Sequence, residues 1–268
     1  MKSKNGFKGA FAGFATIAIP IIFAVGFALY FFVMGNPENF QGNNTHNMPK
    51  PGNFLGIIYK GGIIVPILMS VLMMVITFSI ERFITLNKAK GKGSISSLVL
   101  RVYQKLSQKD IDASIKECDN QKGSVANVIK AGLEKYKEVS ADKVMNKDQK
   151  ITAIKQEFEE ATSLELPMLE QNLVILATLA PLSTLIGLLG TVLGMIKAFS
   201  ALATAGAPDA VALSTGISEA LINTAFGIGS SALAIIFYSY FTTKIDKMTY
   251  SIDEAGVAIV QNFAAHNS

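Results

Sequence analysis

At 50% hydrophobic and only 16% charged residues, with a mean hydropathy of +0.38, this 268-residue chain is too apolar for an ordinary soluble domain. Its net charge of +4 does not point to nucleic acid, because the basic residues gather between apolar runs, as the positive-inside rule describes. Cys118 is the single cysteine, so no intrachain disulfide is possible; His46 and His266 lie at opposite ends without ligand spacing, and no metal or cofactor is expected.

Four uncharged apolar runs approach or exceed the roughly 20 residues that span a hydrocarbon core, if Glu219 is allowed within the last. The first, about Ala10 to Met34, follows a basic start at Lys2, Lys4 and Lys8. A signal peptide is the rival reading. The apolar core is well beyond the usual run of about 7–15 residues and no clear A-x-A site follows, so it reads as a retained extra transmembrane helix. The chain then divides into a cytoplasmic N-terminus 1–9, a transmembrane helix 10–34, a periplasmic or exterior loop 35–56, and a second transmembrane helix 57–84. A cytoplasmic helical domain 85–168 follows, then a transmembrane helix 169–200, a short loop 201–213, a transmembrane helix 214–243 and a cytoplasmic tail 244–268. Orientation rests on the lysines and arginines: most lie between Arg82 and Lys155, whereas Ala201–Leu213 has none. Both termini are therefore placed in the cytoplasm.

The fold class expected is an all-α membrane protein, with four transmembrane helices and long helices extending into a cytoplasmic helical domain. Ser96–Gln108, Asp110–Cys118 and Val125–Val139 carry apolar residues at three- and four-residue spacing. From Asp148 the helical pattern runs without glycine into the membrane, and Pro167 and Pro181 are expected to kink it. In the tail, Ile245, Met248, Ile252, Ile259 and Phe263 form a packing face.

Gly187, Gly190 and Gly194 share one helix face, a spacing that lets helix backbones approach closely. For the glycines alone, ordinary packing is explanation enough. The last run is different. Between Asp209 and Lys244 the only formal charge is Glu219, and an ionisable group at membrane depth costs roughly 2.5–3.5 kcal/mol on insertion scales. Asn223 and Ser230 continue its polar stripe, with Thr224 on the adjacent face. Lys197 lies near the end of the third span, so no basic residue within the spans is expected to neutralise Glu219. It should be protonated part of the time, hydrated, or matched by a group on another chain. A proton crossing 100 mV releases about 2.3 kcal/mol, and one acid with no relay makes better sense as one wall of a pore built from several copies. The bland alternative is a neutral Glu219 in an interhelical hydrogen bond, in a non-conducting membrane scaffold.

Gly-Leu-Leu-Gly190-Thr191-Val-Leu-Gly194-Met-Ile, followed by Gly216-Ile-Ser-Glu219-Ala-Leu-Ile-Asn223-Thr224-Ala, resembles the MotA/TolQ/ExbB proton-channel family, ExbB most closely. The resemblance is good over Leu173–Tyr240 and elsewhere extends only to layout. It implies a homopentamer in the bacterial inner membrane whose pore holds an ExbD-like, single-span, aspartate-bearing dimer. It also implies a TonB-like protein that carries the motion to outer-membrane transporters, and no enzymatic activity. Thr191, Glu219 and Thr224 would line the pore, with Asn223 beside them, and membrane lipid would surround the assembly. TolQ-like envelope maintenance and a MotA-like stator are the neighbouring roles. The chain departs from the family pattern in its extra first helix, in Pro181 lying farther ahead of Thr191, in Asn223 where a small apolar residue is usual, and in Leu233 where proline is frequent. No P-loop and no nucleophile–base motif supports an enzyme.

Overall fold

The computed structural model describes residues 13–203 and 209–266. The expected cytoplasmic N-terminus 1–9, the first three residues of the expected first span, and 204–208 of the short loop lie outside the described residues. Those described form nine α-helices and no strand: α1 Phe14–Ala28, α2 Phe54–Tyr59, α3 Ile64–Lys90, α4 Ile95–Ser107, α5 Ile111–Gln121, α6 Ser124–Ala141, α7 Lys147–Glu170, α8 Leu173–Ala203 and α9 Ala210–His266. Four helical stretches are long and apolar enough to cross a membrane; they lie within Phe14–Met34, Ile64–Ser107, Lys147–Ala203 and Ala210–His266. The chain forms two compact units.

The first unit takes in the chain up to Ile80 together with Val174–Tyr238. Here α1 widens into a π-helical turn, Leu29–Met34, and stops at Gly35, whose N–H reaches back to Tyr30 O at 2.9 Å. The carbonyls of Val33 and Met34 both accept from Asn39 Nδ2 at 2.9 Å, so a loop side chain satisfies the orphaned end of the helix. The same Asn39 accepts from Asn53, which caps α2 through Gly56 N–H. Fully buried Phe40 and the Lys60 ammonium, bonded to Thr45 O at 2.9 Å and His46 O at 3.2 Å, pin the rest of the loop. Packing of α1 on α3 is close: a Cβ on Gly26 would sit 2.2 Å from Ser70 Oγ. Tyr30 stacks on Tyr59 at 4.7 Å and donates to Tyr59 O at 2.9 Å, within a cluster that includes Val65, Met69, Ile222 and Phe226.

The second unit comprises Glu81–Leu173 and the chain from Ser239. Its helices α4, α5 and α6 fall where the sequence periodicity places them. Asp110 caps α5, and an Asn146–Gln149 capping box starts α7. Leu98, Leu106, Ile129, Leu133 and Ile154 are buried, and Ile245, Met248, Ile252, Ile259 and Phe263 of α9 form a buried face as expected. Gly132 is where Phe158 crosses α6: a Cβ there would meet the ring at 2.0 Å. Between α7 and α8 the helical run expected from Asp148 is interrupted. The break falls at Gln171 (ψ 138°) and Asn172 (φ +61°), four residues past Pro167, whose carbonyl accepts from Gln171 N–H at 3.0 Å. Asparagine tolerates this left-handed conformation because its short polar side chain bonds locally. α8 itself continues through Pro181. Beside the break, fully buried Arg82 grips Glu81 through two bonds of 2.7 and 2.6 Å and donates to Leu169 O at 3.2 Å.

Candidate functional site

In the first unit α8 and α9 lie against each other along small residues. A Cβ on Gly187 would come within 3.0 Å of Gly227 Cα, and one on Gly194 within 2.7 Å of Ala220 N and 2.8 Å of Gly216 O. Side chains larger than hydrogen are excluded at these crossings, and so the two backbones approach closely. Gly190 makes room for a side chain instead, since a Cβ there would be 2.5 Å from Asn223 Cβ.

That register brings Thr191 and Thr224 into direct hydroxyl–hydroxyl contact. Each hydroxyl also lies 3.1 Å from a carbonyl one turn back, Gly187 O for Thr191 and Ala220 O for Thr224. Each threonine has one proton to donate. Three contacts therefore share two protons, and the pair has two arrangements: Thr191 donates to Thr224 and gives up its bond to Gly187 O, or the reverse gives up the Thr224 bond to Ala220 O. Such a pair passes hydrogen-bond polarity across the α8–α9 interface. Thr191 also borders an open groove of ≈ 590 Å³ along α8, lined by Val192, Met195, Ile196 and Phe199.

Glu219 is 5% exposed. Contrary to the expectation of no cation within reach, Lys197 Nζ lies 2.7 Å from Oε1 and 2.9 Å from Oε2. The reason is the antiparallel register: Gly187 meets Gly227 and Gly194 meets Ala220, so position 197 falls opposite 217, and the long lysine side chain reaches Glu219 from there. Linear distance along the membrane hides this, and extending the glycine register would have revealed it. The Lys197 side chain is 58% exposed, so the ion pair has one sheltered and one open partner. From the other side the turn Gly61–Gly62 covers the carboxylate. Gly62 has φ +79°, and a Cβ on it would be 2.1 Å from Glu219 Oε1. Nothing in the motif pointed to these glycines.

Asn223, one turn on, is fully enclosed and donates from Nδ2 to Gly61 O at 3.0 Å. With no exposed surface, it braces the turn from within and does not face open space as Thr191 and Thr224 partly do. Its Oδ1 and the Ser230 Oγ are buried without a hydrogen-bond partner among the described residues. Buried polar atoms in this state usually bond water, and these two extend the polar stripe below Glu219. No group of three His, Cys, Asp or Glu side chains able to hold a metal occurs among the described residues.

Comparison with known proteins gives a consistent picture. Residues 120–254 match the model of the MotA/TolQ/ExbB proton channel family. A Tol-Pal system protein TolQ from Pseudomonas aeruginosa is 30% identical over 124 residues, 46% of this chain and 54% of that protein. A putative biopolymer transport protein, ExbB-like 3, from Synechocystis is 37% identical over 86 residues, 31% of this chain and 41% of its own length. TolQ of Haemophilus influenzae is 28% identical over 199 residues, covering 72% of this chain and 86% of that protein. The chain thus spans about half or less of the first two relatives and most of the third.

Proposed function

Because the chain belongs to the MotA/TolQ/ExbB proton channel family, we propose that this multi-pass membrane protein is an ExbB-like subunit of a proton-driven motor. In this reading it sits in the bacterial inner membrane with both termini cytoplasmic and works as a homopentamer. An ExbD-like single-span dimer occupies the pore, and a TonB-like protein carries the movement to outer-membrane transporters. The lysine- and arginine-rich stretch before α7 supports the orientation.

The observation that carries the proposal is the sheltered Glu219 carboxylate beside a two-state Thr191–Thr224 hydroxyl pair, both on the glycine-packed α8–α9 interface. A carboxylate in a place this poorly hydrated is expensive to keep charged. Its burial beside one exposed counter-charge makes it the candidate ion-carrying group in this reading. Thr191 and Thr224 supply the hydroxyl step towards the open α8 face, and Asn223 holds the Gly61–Gly62 turn that closes the far side. A TolQ-like role is the second reading, favoured by the 72% of the chain that aligns with Haemophilus influenzae TolQ.

The test is proton-driven uptake by the chain co-expressed with its small partner. Glu219→Gln and Thr191→Val are expected to abolish activity while the purified assembly keeps its composition. Full activity in both variants would make the polar stripe structural and leave the scaffold reading standing. Whether the co-purified partner binds peptidoglycan would help separate the Tol and TonB branches.

A further inference from the structure

Glu219 is buried, with Lys197 bonded to both of its carboxylate oxygens. On one side the Gly61–Gly62 turn presses backbone against Oε1, leaving no space for even a methyl group. That turn is held in place twice, by Asn223 Nδ2 on Gly61 O and by Tyr30, which stacks on Tyr59 and donates to its carbonyl. From α8 the neighbour is Lys197. From α1, the Tyr30 phenol lies within electrostatic reach of the carboxylate. Among the described residues Lys197 is the cation paired with Glu219, and its ammonium spans both oxygens. Its stem is mostly exposed, and a flexible lysine stem can carry its charge outward to a wetter position.

We infer that Lys197 is the gate of this site: a tethered ammonium that fills the cation position at Glu219 and swings out as a proton or another small monovalent cation binds there. The inference rests on the proton-motor reading above and deepens it. When a proton arrives at the carboxylate, the ammonium keeps its own three protons, loses its counter-charge, and turns to the exposed side. There it meets water or a carboxylate on a partner helix. Loading of Glu219 and release of Lys197 are one event, so the movement of one side chain reports the ion state of the site to the outer face of α8.

The experiment uses the full chain in native membranes and a hydrophobic carbodiimide, which modifies carboxyl groups in their protonated form. Modification at Glu219 is followed by fragment mass spectrometry; Asp209 and Glu219 are the acids between Lys197 and Lys244, so the site is resolved. Wild type is expected to label slowly. Lys197→Met is expected to label faster on the order of fivefold, the effect of losing an ion pair with one exposed partner. Lys197→Arg should restore slow labelling, and Glu219→Gln should abolish the modification. Wild-type rates in Lys197→Met, or rates in Lys197→Arg as fast as in Lys197→Met, would overturn the gate. Unchanged elution and thermal unfolding of Lys197→Met confirm that the comparison is made on folded protein. The labelling needs neither partner nor membrane potential. Full uptake activity in Glu219→Gln would thus refute the motor, while the labelling rates by themselves decide the gate.

Discussion

Glu219 shows how little of a residue's state is set by its own chemistry. Along the linear chain its carboxylate has no cation nearby, yet the fold binds it through both oxygens, because Lys197 arrives from another helix. Gly62 is the complementary case: its φ of +79° favours glycine, and its missing Cβ is what admits the carboxylate. Gly62→Ala combines both penalties, and we expect a loss of about 1–3 kcal/mol in stability from the strained conformation and the collision. Thermal unfolding of the purified variant checks this; a variant as stable as wild type would show that the turn does not cover Glu219. The Thr191–Thr224 pair, with three contacts and two protons, is the residue-scale element best suited to relay polarity, and it needs no further charged group.

At the scale of elements, the interface of α8 with α9 decides what the polar residues can do. Gly187, Gly194, Gly216 and Gly227 bring the helices close enough for threonine hydroxyls to touch across them. Gly194→Val is expected to push the helices apart without altering a polar group. It should separate Thr191 from Thr224 and cost about 1–3 kcal/mol from overpacking. With Cys118 replaced by serine, a Thr191→Cys, Thr224→Cys pair should form a disulfide on mild oxidation, and Gly194→Val should suppress it. Cross-linking that survives the bulky residue would contradict the glycine-set spacing. The break between α7 and α8 belongs to this scale too. It falls at Gln171 and Asn172, one turn past Pro167, and the buried Glu81–Arg82 pair bonds the last turn of α7 at Leu169 O.

For the molecule as a whole, α3 and α9 matter most, because each contributes to both compact units. The second unit depends on the end of α9: Phe263 is fully buried against Tyr136, whose hydroxyl donates to Asn262 Oδ1 at 3.2 Å. Cys118 is a built-in reporter of that core. Burial, reinforced by the neighbouring Asp119 charge, pushes its thiol up to about 12. Raising a thiol's pKa removes thiolate, the reactive form. Maleimide labelling of the native chain should thus stay slow through pH 9, where an ordinary cysteine is half ionised. Phe263→Ala is expected to cost about 3–5 kcal/mol and to accelerate labelling sharply. Rapid labelling of the wild type at pH 8 would refute the sheltered position of Cys118.

Composition and periodicity alone determined the helical class, the four apolar stretches, the helices α4, α5 and α6, and the buried face at the end of α9. These are properties of local spacing: a 3.6-residue repeat sorts side chains by face before any helix meets another. The paired motif around Thr191 and Glu219 likewise marked the residues that the structure gathers. Lys197 and the Gly61–Gly62 cover were decided only by tertiary structure, as were the inward placement of Asn223 and the break after α7. Each depends on which residues distant in the chain become neighbours. That pairing is set by helix register and close packing, to which linear distance is blind.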